Sequence, residues 1–596
     1  MQTRIDKYLE NLNKIVALDD QTDYKNLSID DLLEVLYQNA VLKNKLANEN
    51  NQLIQEVIKP LELKKELLKE EREKIEEFIL ILQTGYESKD NGMLFRLYQI
   101  LLHDALSKNN LNQIIKCLYY CSYYDFLIQS MHPRKYRTSS FNLIEKYKDS
   151  YDLLSVEGKS YFLRCYGNQT LMEDYSLTKF KEILDFIKLK KETEPNEKIP
   201  YDAYIVATEK NICNGLEIIR SYTDQGIEVP TELKEGIYEV ASHLYKNLDS
   251  IAKTSLPIRQ VYLYSYYAAC FHNNKITVDD FLDKLDSLTK IDESYSLAEK
   301  STCIIKMNSV YILYYMKYKV KDKSTLKKDL KDRIEMILSF VKTIKASEYT
   351  RNMNSDLISF IQIASKFYPY EDLEPLLIQA TAKRHTPTAI HSQSVAELCR
   401  IVLEYMLDTN PEFFLGILDN YSLSEILLHR EDLMKLIYRM GMIHDIGKYY
   451  CIPYISINYR KLEDAEFEAI KFHPILGYDM LNGNFPDALC DAVLYHHVWH
   501  DNTKGYPLDY KHTNNLPLID ILSACDTIDA AVDFLGRSYV MSKTFSQLLV
   551  EFNEFKGTRY SKEIVEALNS EVLRAKIESY LKNRRKQIVY QAFILE

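Results

Sequence analysis

From residue 90 to residue 375, apolar side chains return at i, i+3 and i+4, and short polar turns break the pattern. Leu, Ile and Tyr supply most of them. A repeat of about 3.6 residues lays one apolar stripe along a helix, whereas a strand needs a period of about two. Only 15 Gly and 15 Pro occur in 596 residues, few for a chain that would have to turn between many short strands. The expected fold class is all-α. A chain this long exceeds what one hydrophobic core supports, so two or three domains are expected.

The first expected domain is 1–80, an N-terminal helix with coiled-coil character. Ser28 is placed to cap a helix that begins with Asp30 and Asp31. Over 32–59 a heptad pattern puts Leu36, Lys43, Asn50 and Val57 at one core position and Leu32, Asn39, Leu46 and Leu53 at the other. A buried Asn among leucines fixes register in parallel dimers, which suggests a homodimer. Lys43 and Asn39 suit a core poorly, and an amphipathic helix packed on its own chain fits equally well. The charged run 62–77 reads as a solvated face.

The second expected domain, 81–378, alternates helices with turns at Asn109-Asn110, Asn273-Asn274 and Tyr368-Pro369. It resembles a tetratricopeptide-like solenoid in architecture, without that repeat's signature positions. The resemblance implies a sensor or docking surface for a protein or peptide partner. An unliganded helical scaffold is the plainer reading.

The net charge of −11 argues against a nucleic-acid polymer as partner. Ten scattered cysteines without a C-x-x-C fit a reduced, cytoplasmic protein. Met1-Gln2-Thr3-Arg4 opens a polar helix, not a leader, and no run of about 18 apolar residues predicts a membrane span.

The third expected domain is 379–596. Four of the thirteen histidines precede residue 380 and the other nine lie between His385 and His512. Within that region His391, His444, Asp445, His473, His496, His497 and Asp526 occupy the starts, ends or apolar middles of expected helices. Imidazole and carboxylate together suit Fe, Mn or Zn better than Mg or Ca. Seven such groups exceed the needs of one ion and suit two. Neighbouring helical side chains point about 100° apart, so His444 can face one metal while Asp445 turns toward the space between two. Two ions about 3.5–4 Å apart clamp a phosphoryl group. Lys448, one turn beyond His444, projects from the same face and can meet a phosphate oxygen.

The order His391, His444-Asp445-Ile446-Gly447-Lys448, Lys471-Phe472-His473-Pro474, His496-His497, Gly505-Tyr506-Pro507, Asp526 with Asp529-Ala530, and Arg537-Ser538-Tyr539 resembles the HD metal-dependent phosphohydrolases. It is most similar to their HD-GYP subgroup, over about 380–570. The resemblance implies an all-helical domain in which His391, His444, Asp445, His473, His496, His497 and Asp526 bind two divalent transition metals, Fe or Mn. It implies that Asp445 bridges them and that Asp445 and Lys448 are catalytic. It implies that Lys448 and Arg537 contact phosphate and that Gly505, Tyr506 and Pro507 shape the substrate site. The implied activity is hydrolysis of cyclic di-GMP to the linear dinucleotide pGpG, to GMP, or to both.

The chain departs from that pattern at several places. Val498 stands where the family usually has Glu after the histidine pair, and the 391–444, 501–505 and 526–537 spacings run long. Pro387 occupies the position of a third-metal Glu, so two metals are expected. These departures keep two other readings open, a catalytically weak cyclic-dinucleotide-binding module and a phosphohydrolase acting on another nucleotide.

Overall fold

The computed structural model describes residues 2–20, 24, 26–84, 90–129, 143–171, 175–251, 256–320, 328–344, 351–366, 368–451, 455, 457–483, 485–508, 513–536 and 542–594. Among these residues helices dominate and no strand forms, with isolated bridges only at Val498–Gly505 and Lys556–Tyr560. The all-α expectation holds. No described helix is long and apolar enough to cross a membrane. The chain gathers into two compact units. One combines Met1–Ile58, Leu338–Tyr349 and Ile361–Glu596, and the other combines Lys59–Ile337 and Thr350–Phe360.

The second unit is a stack of helices. Asn109 and Asn274 adopt left-handed φ of 48° and 56°, so the turns fall where the Asn pairs predicted them. Side-chain contacts link successive layers: Gln83 donates to the Tyr124 hydroxyl, Ser160 meets Tyr204, and His272 meets Tyr314. The tyrosines expected as core stripes pack on one another: Tyr98 and Tyr120 stack with ring centroids 4.4 Å apart.

In the first unit, Ser28 caps the helix Ile29–Leu53 by accepting from Asp31 N. Leu32, Leu36, Leu46 and Asn50 are buried, and the helix packs on Gln2–Asp20 and on the last helix, Arg584–Ile594. Asn50 is occupied within the chain. It accepts from Asn11 Nδ2 at 3.1 Å and donates to the Tyr459 carbonyl at 2.9 Å. Asn51 Oδ1 accepts from Lys461 N at 2.8 Å. The heptad-like face therefore serves intrachain packing, and its polar position anchors the 459–461 segment. The expected 1–80 segment is divided, with Met1–Ile58 in one unit and the residues from Lys59 in the other.

That anchored segment carries a fully buried ion pair. Arg460 grips Glu466 with two hydrogen bonds of 2.8 and 2.9 Å, and both side chains are shielded from solvent. Glu466 also accepts from Glu463 N, closing the start of the Asp464–Ile470 helix. Removing one member of such a pair strands the other charge in low dielectric. Glu466→Gln is expected to destabilise this unit by roughly 3–5 kcal/mol, read as a lowered urea midpoint. Phe467→Ser, at an exposed neighbour, should change it by less than about 0.5 kcal/mol.

Candidate metal centre

His391 lies near the start of the helix Thr386–Thr409, which packs on Arg430–Ile443 and Leu516–Val532. The Arg430–Ile443 helix ends at His444, its C-cap, and the chain passes through Asp445 into the 3-10 turn Ile446–Cys451. The apolar pattern predicts a helix continuing to Gly447. It stops early because the following residues press against the backbone at 473–477. A Cβ on Gly447 would lie 1.8 Å from the His473 carbonyl oxygen and 2.7 Å from Gly477 N. Only glycine permits that approach, and the approach brings His473 to Asp445. Pro474 suits the first turn of His473–Leu481, where no N–H is needed. His496 caps the helix Asp487–Tyr495, His497 follows, and Asp526 sits within Leu516–Val532.

All seven expected metal ligands converge. Asp445, His473, His496 and His497 form one group that could hold an ion, and His391, His444 and Asp526 form another. Asp445 faces both. Its Oδ1 lies 3.2 Å from His473 Nε2 and 3.7 Å from His496 Nε2. Its Oδ2 lies 3.4 Å from His444 Nε2 and 3.6 Å from His391 Nε2.

The ring tautomers follow from the outer hydrogen bonds. His444 Nδ1 donates to the Gly441 carbonyl at 2.8 Å, His473 Nδ1 to Ile470 at 2.8 Å and His496 Nδ1 to Val493 at 2.9 Å. Carbonyls only accept, so each Nδ1 carries the proton and each Nε2 turns a lone pair inward. His473 Nε2 and His496 Nε2 face each other at 3.2 Å, two acceptors with no proton between them. Burial, with His444 and His473 adding to it, depresses His496 to about 3, so His496 does not take a second proton near neutrality. His444 Nε2 and Asp445 Oδ1 are buried without a hydrogen-bond partner. Buried acceptors converging on one space fit a cation.

Burial opposes charge on Asp445 and Asp526. Lys448 and His444 outweigh it at Asp445, and His391 and His497 do so at Asp526. Both carboxyls are held well below the usual carboxylate range. Burial likewise lowers His444 and His497. His391 is the exception. Burial opposes its charge, but the Asp526 and Asp529 carboxylates outweigh it and raise the ring to about 10.

Lys448 reaches the same centre, but as a partner of Asp445, pairing with its Oδ2. The Gly505-Tyr506-Pro507 loop lies alongside. The Tyr506 ring stands 4.7 Å from that of His497, and the Tyr506–Pro507 peptide is cis. Gly505 has φ of +95°, and a Cβ there would meet the His497 carbonyl at 2.1 Å. Val498 is buried and bridges Gly505. The longer 501–505 spacing folds into a tight turn in which Trp499 N donates to the Lys504 carbonyl at 3.0 Å, and Asp501 N ties it to Thr558 at 3.0 Å. Arg537 lies outside the described residues.

Two residues at the centre have roles that their motifs do not reveal. Asp529 Oδ2 accepts from His391 Nδ1 at 2.8 Å. Its signal was its place three residues after Asp526, on nearly the same helix face. His385, half-buried and depressed to about 4 by desolvation and Lys448, caps its own helix by accepting from Thr388 N. Nothing in its local sequence separates that role from metal binding.

Residues 388–531 match the HD domain family, in line with the resemblance drawn from the motifs. Three curated relatives match the same third of the chain or less. The 3'3'-cGAMP-specific phosphodiesterase 1 of Vibrio cholerae is 23% identical over 149 residues, covering 25% of this chain and 34% of the relative. The cyclic di-GMP phosphodiesterase of Thermotoga maritima is 31% identical over 129 residues, covering 21% and 34%. The cyclic di-GMP phosphodiesterase response regulator RpfG of Xanthomonas campestris pv. campestris is 28% identical over 142 residues, covering 23% and 36%. The chain thus spans about a third of the length of the curated relatives it matches. No solved structure matches it.

A cation entering the His391 group must displace the proton that His391 carries below pH about 10. Binding of Mn(II) there is expected to tighten by about tenfold per unit between pH 6 and pH 8, with about one proton released. Titration calorimetry in buffers of different protonation enthalpy reads both, and an affinity independent of pH would sink the assignment.

Proposed function

We propose that residues 379–596 form a metal-dependent phosphodiesterase that hydrolyses cyclic di-GMP to pGpG, to GMP, or to both. The observation that carries this reading is Asp445 with one carboxylate oxygen turned to each group of buried histidines. His391, His444 and Asp526 would hold one divalent ion, and His473, His496 and His497 the other, with Asp445 shared. Iron or manganese suits this mixed imidazole–carboxylate set. Such ions supply a water of lowered pKa and positive charge for the phosphoryl oxygens.

The chain's own residues do the rest. The four Nδ1–H donors lock the rings with their Nε2 atoms inward, His391 offering its lone pair once it gives up its second proton. Lys448 adds positive charge beside the shared carboxylate, where a phosphodiester would approach. Tyr506, ring against His497, offers an aromatic wall for a base or ribose. In the hydrolysis, water oxygen bonds to phosphorus, the bond to a ribose 3′ oxygen breaks, and that oxygen takes up a proton. Arg537 is proposed as a further phosphate contact. Residues 81–378 are proposed as a regulatory region with a protein or peptide partner. The ten free, buried cysteines accord with a reducing, cytoplasmic setting.

The relative named for 3'3'-cGAMP favours a second reading, in which a hybrid cyclic dinucleotide is the better substrate. Protein purified anaerobically with Mn(II) or Fe(II) is expected to turn over a cyclic dinucleotide. Asp445→Asn and His444→Ala are expected to lose more than about a hundredfold in kcat. Comparing kcat/KM for cyclic di-GMP and 3'3'-cGAMP decides between the substrates. Tight binding without turnover in the metal-loaded protein would replace this reading with a binding module.

A further inference from the structure

His391 differs from the other inward-facing histidines in what holds it. The Nδ1 donors of His444, His473 and His496 go to carbonyls of their own turns, at Gly441, Ile470 and Val493. Those rings are oriented by local backbone. His391 Nδ1 donates to a side chain on another helix, Asp529, which is fully shielded from solvent.

Asp529 is in turn held from the far end of the chain. Arg585, on the helix Arg584–Ile594, donates from Nε to Asp529 Oδ1 at 2.7 Å. Its Nη2 lies 3.5 Å from Asp529 Oδ2 and 2.9 Å from Asp533 Oδ1. Arg585 is only 5% exposed and lies more than fifty residues beyond the last residue matched to the HD domain. The planar guanidinium thus clamps two carboxylates one helical turn apart and fixes the rotamer of the one that orients His391. A carboxylate accepts only, so this arrangement keeps a proton on Nδ1 and aims Nε2 at Asp526, 3.0 Å away, where that atom offers a lone pair once its own proton has left.

We propose that Arg585 is a positioning residue for one of the two metal groups. Through Asp529 it sets the orientation and tautomer of His391, so the last helix controls occupancy of the His391–His444–Asp526 group. The other group, Asp445–His473–His496–His497, has no such dependence among the described residues. This inference rests on the two-ion reading of the centre.

The test is a Mn(II) titration of the full chain, following free Mn(II) by electron paramagnetic resonance and bound metal by elemental analysis. Wild type is expected to bind two ions. Arg585→Gln is expected to bind one ion as before and the other about 10–100-fold more weakly. Arg585→Lys keeps the charge but cannot span both carboxylates, and is expected to fall between the two. Circular dichroism on each variant separates folding from metal loss. If Arg585→Gln fails to fold, Arg585→Lys decides alone, a weakened single site supporting the proposal. A folded variant with both affinities unchanged, or both weakened equally, overturns it. A wild type that binds fewer than two ions overturns the two-ion reading instead, whatever Arg585 does.

Discussion

The first unit depends on a set of lone pairs that have nothing to bond to. His473 Nε2 and His496 Nε2 oppose each other at 3.2 Å, and His444 Nε2 and Asp445 Oδ1 are buried with no donor in reach. Helical proteins seldom bury acceptors this way, because each one left unpaired costs about 1–3 kcal/mol. Here every ring is pinned from behind by its Nδ1, so none can rotate to find a donor. The surrounding helices hold these acceptors converging on one space, an arrangement that suits a cation.

Close approach at glycine supports the centre. Gly447 lies on the His473 carbonyl, Gly477 on the Val493 side chain, and Gly441 on the backbone of Ala396. At each place a side chain would separate two elements that carry metal-type residues. The glycines bring those elements within a few ångströms of one another, and the histidines then point into the space left between them.

The elements that were legible in sequence are the ones with local causes. The 3.6-residue pattern identifies helices, the Asn pairs identify turns, and the seven ligands stand out because each belongs to a short motif with fixed spacing. What was not legible depends on contacts between distant residues. Asn50 looks the same whether its partner is a second copy or Asn11 of its own chain. Arg585 is an ordinary basic residue in a charged helix until folding sets it beside Asp529. The layer-to-layer pairs of the other unit show only as contacts, since different residues make each one.

The division of the chain into units has a further consequence, for synthesis. The helices of Met1–Ile58 belong with Ile361–Glu596, so about 300 residues are made between the two halves of one core. At roughly 5–20 residues per second, the first helices wait on the order of 15–60 s for their partners. The intervening residues are nearly contiguous in sequence and can fold first. The intervening helical unit is thus synthesised before the residues of the candidate metal centre.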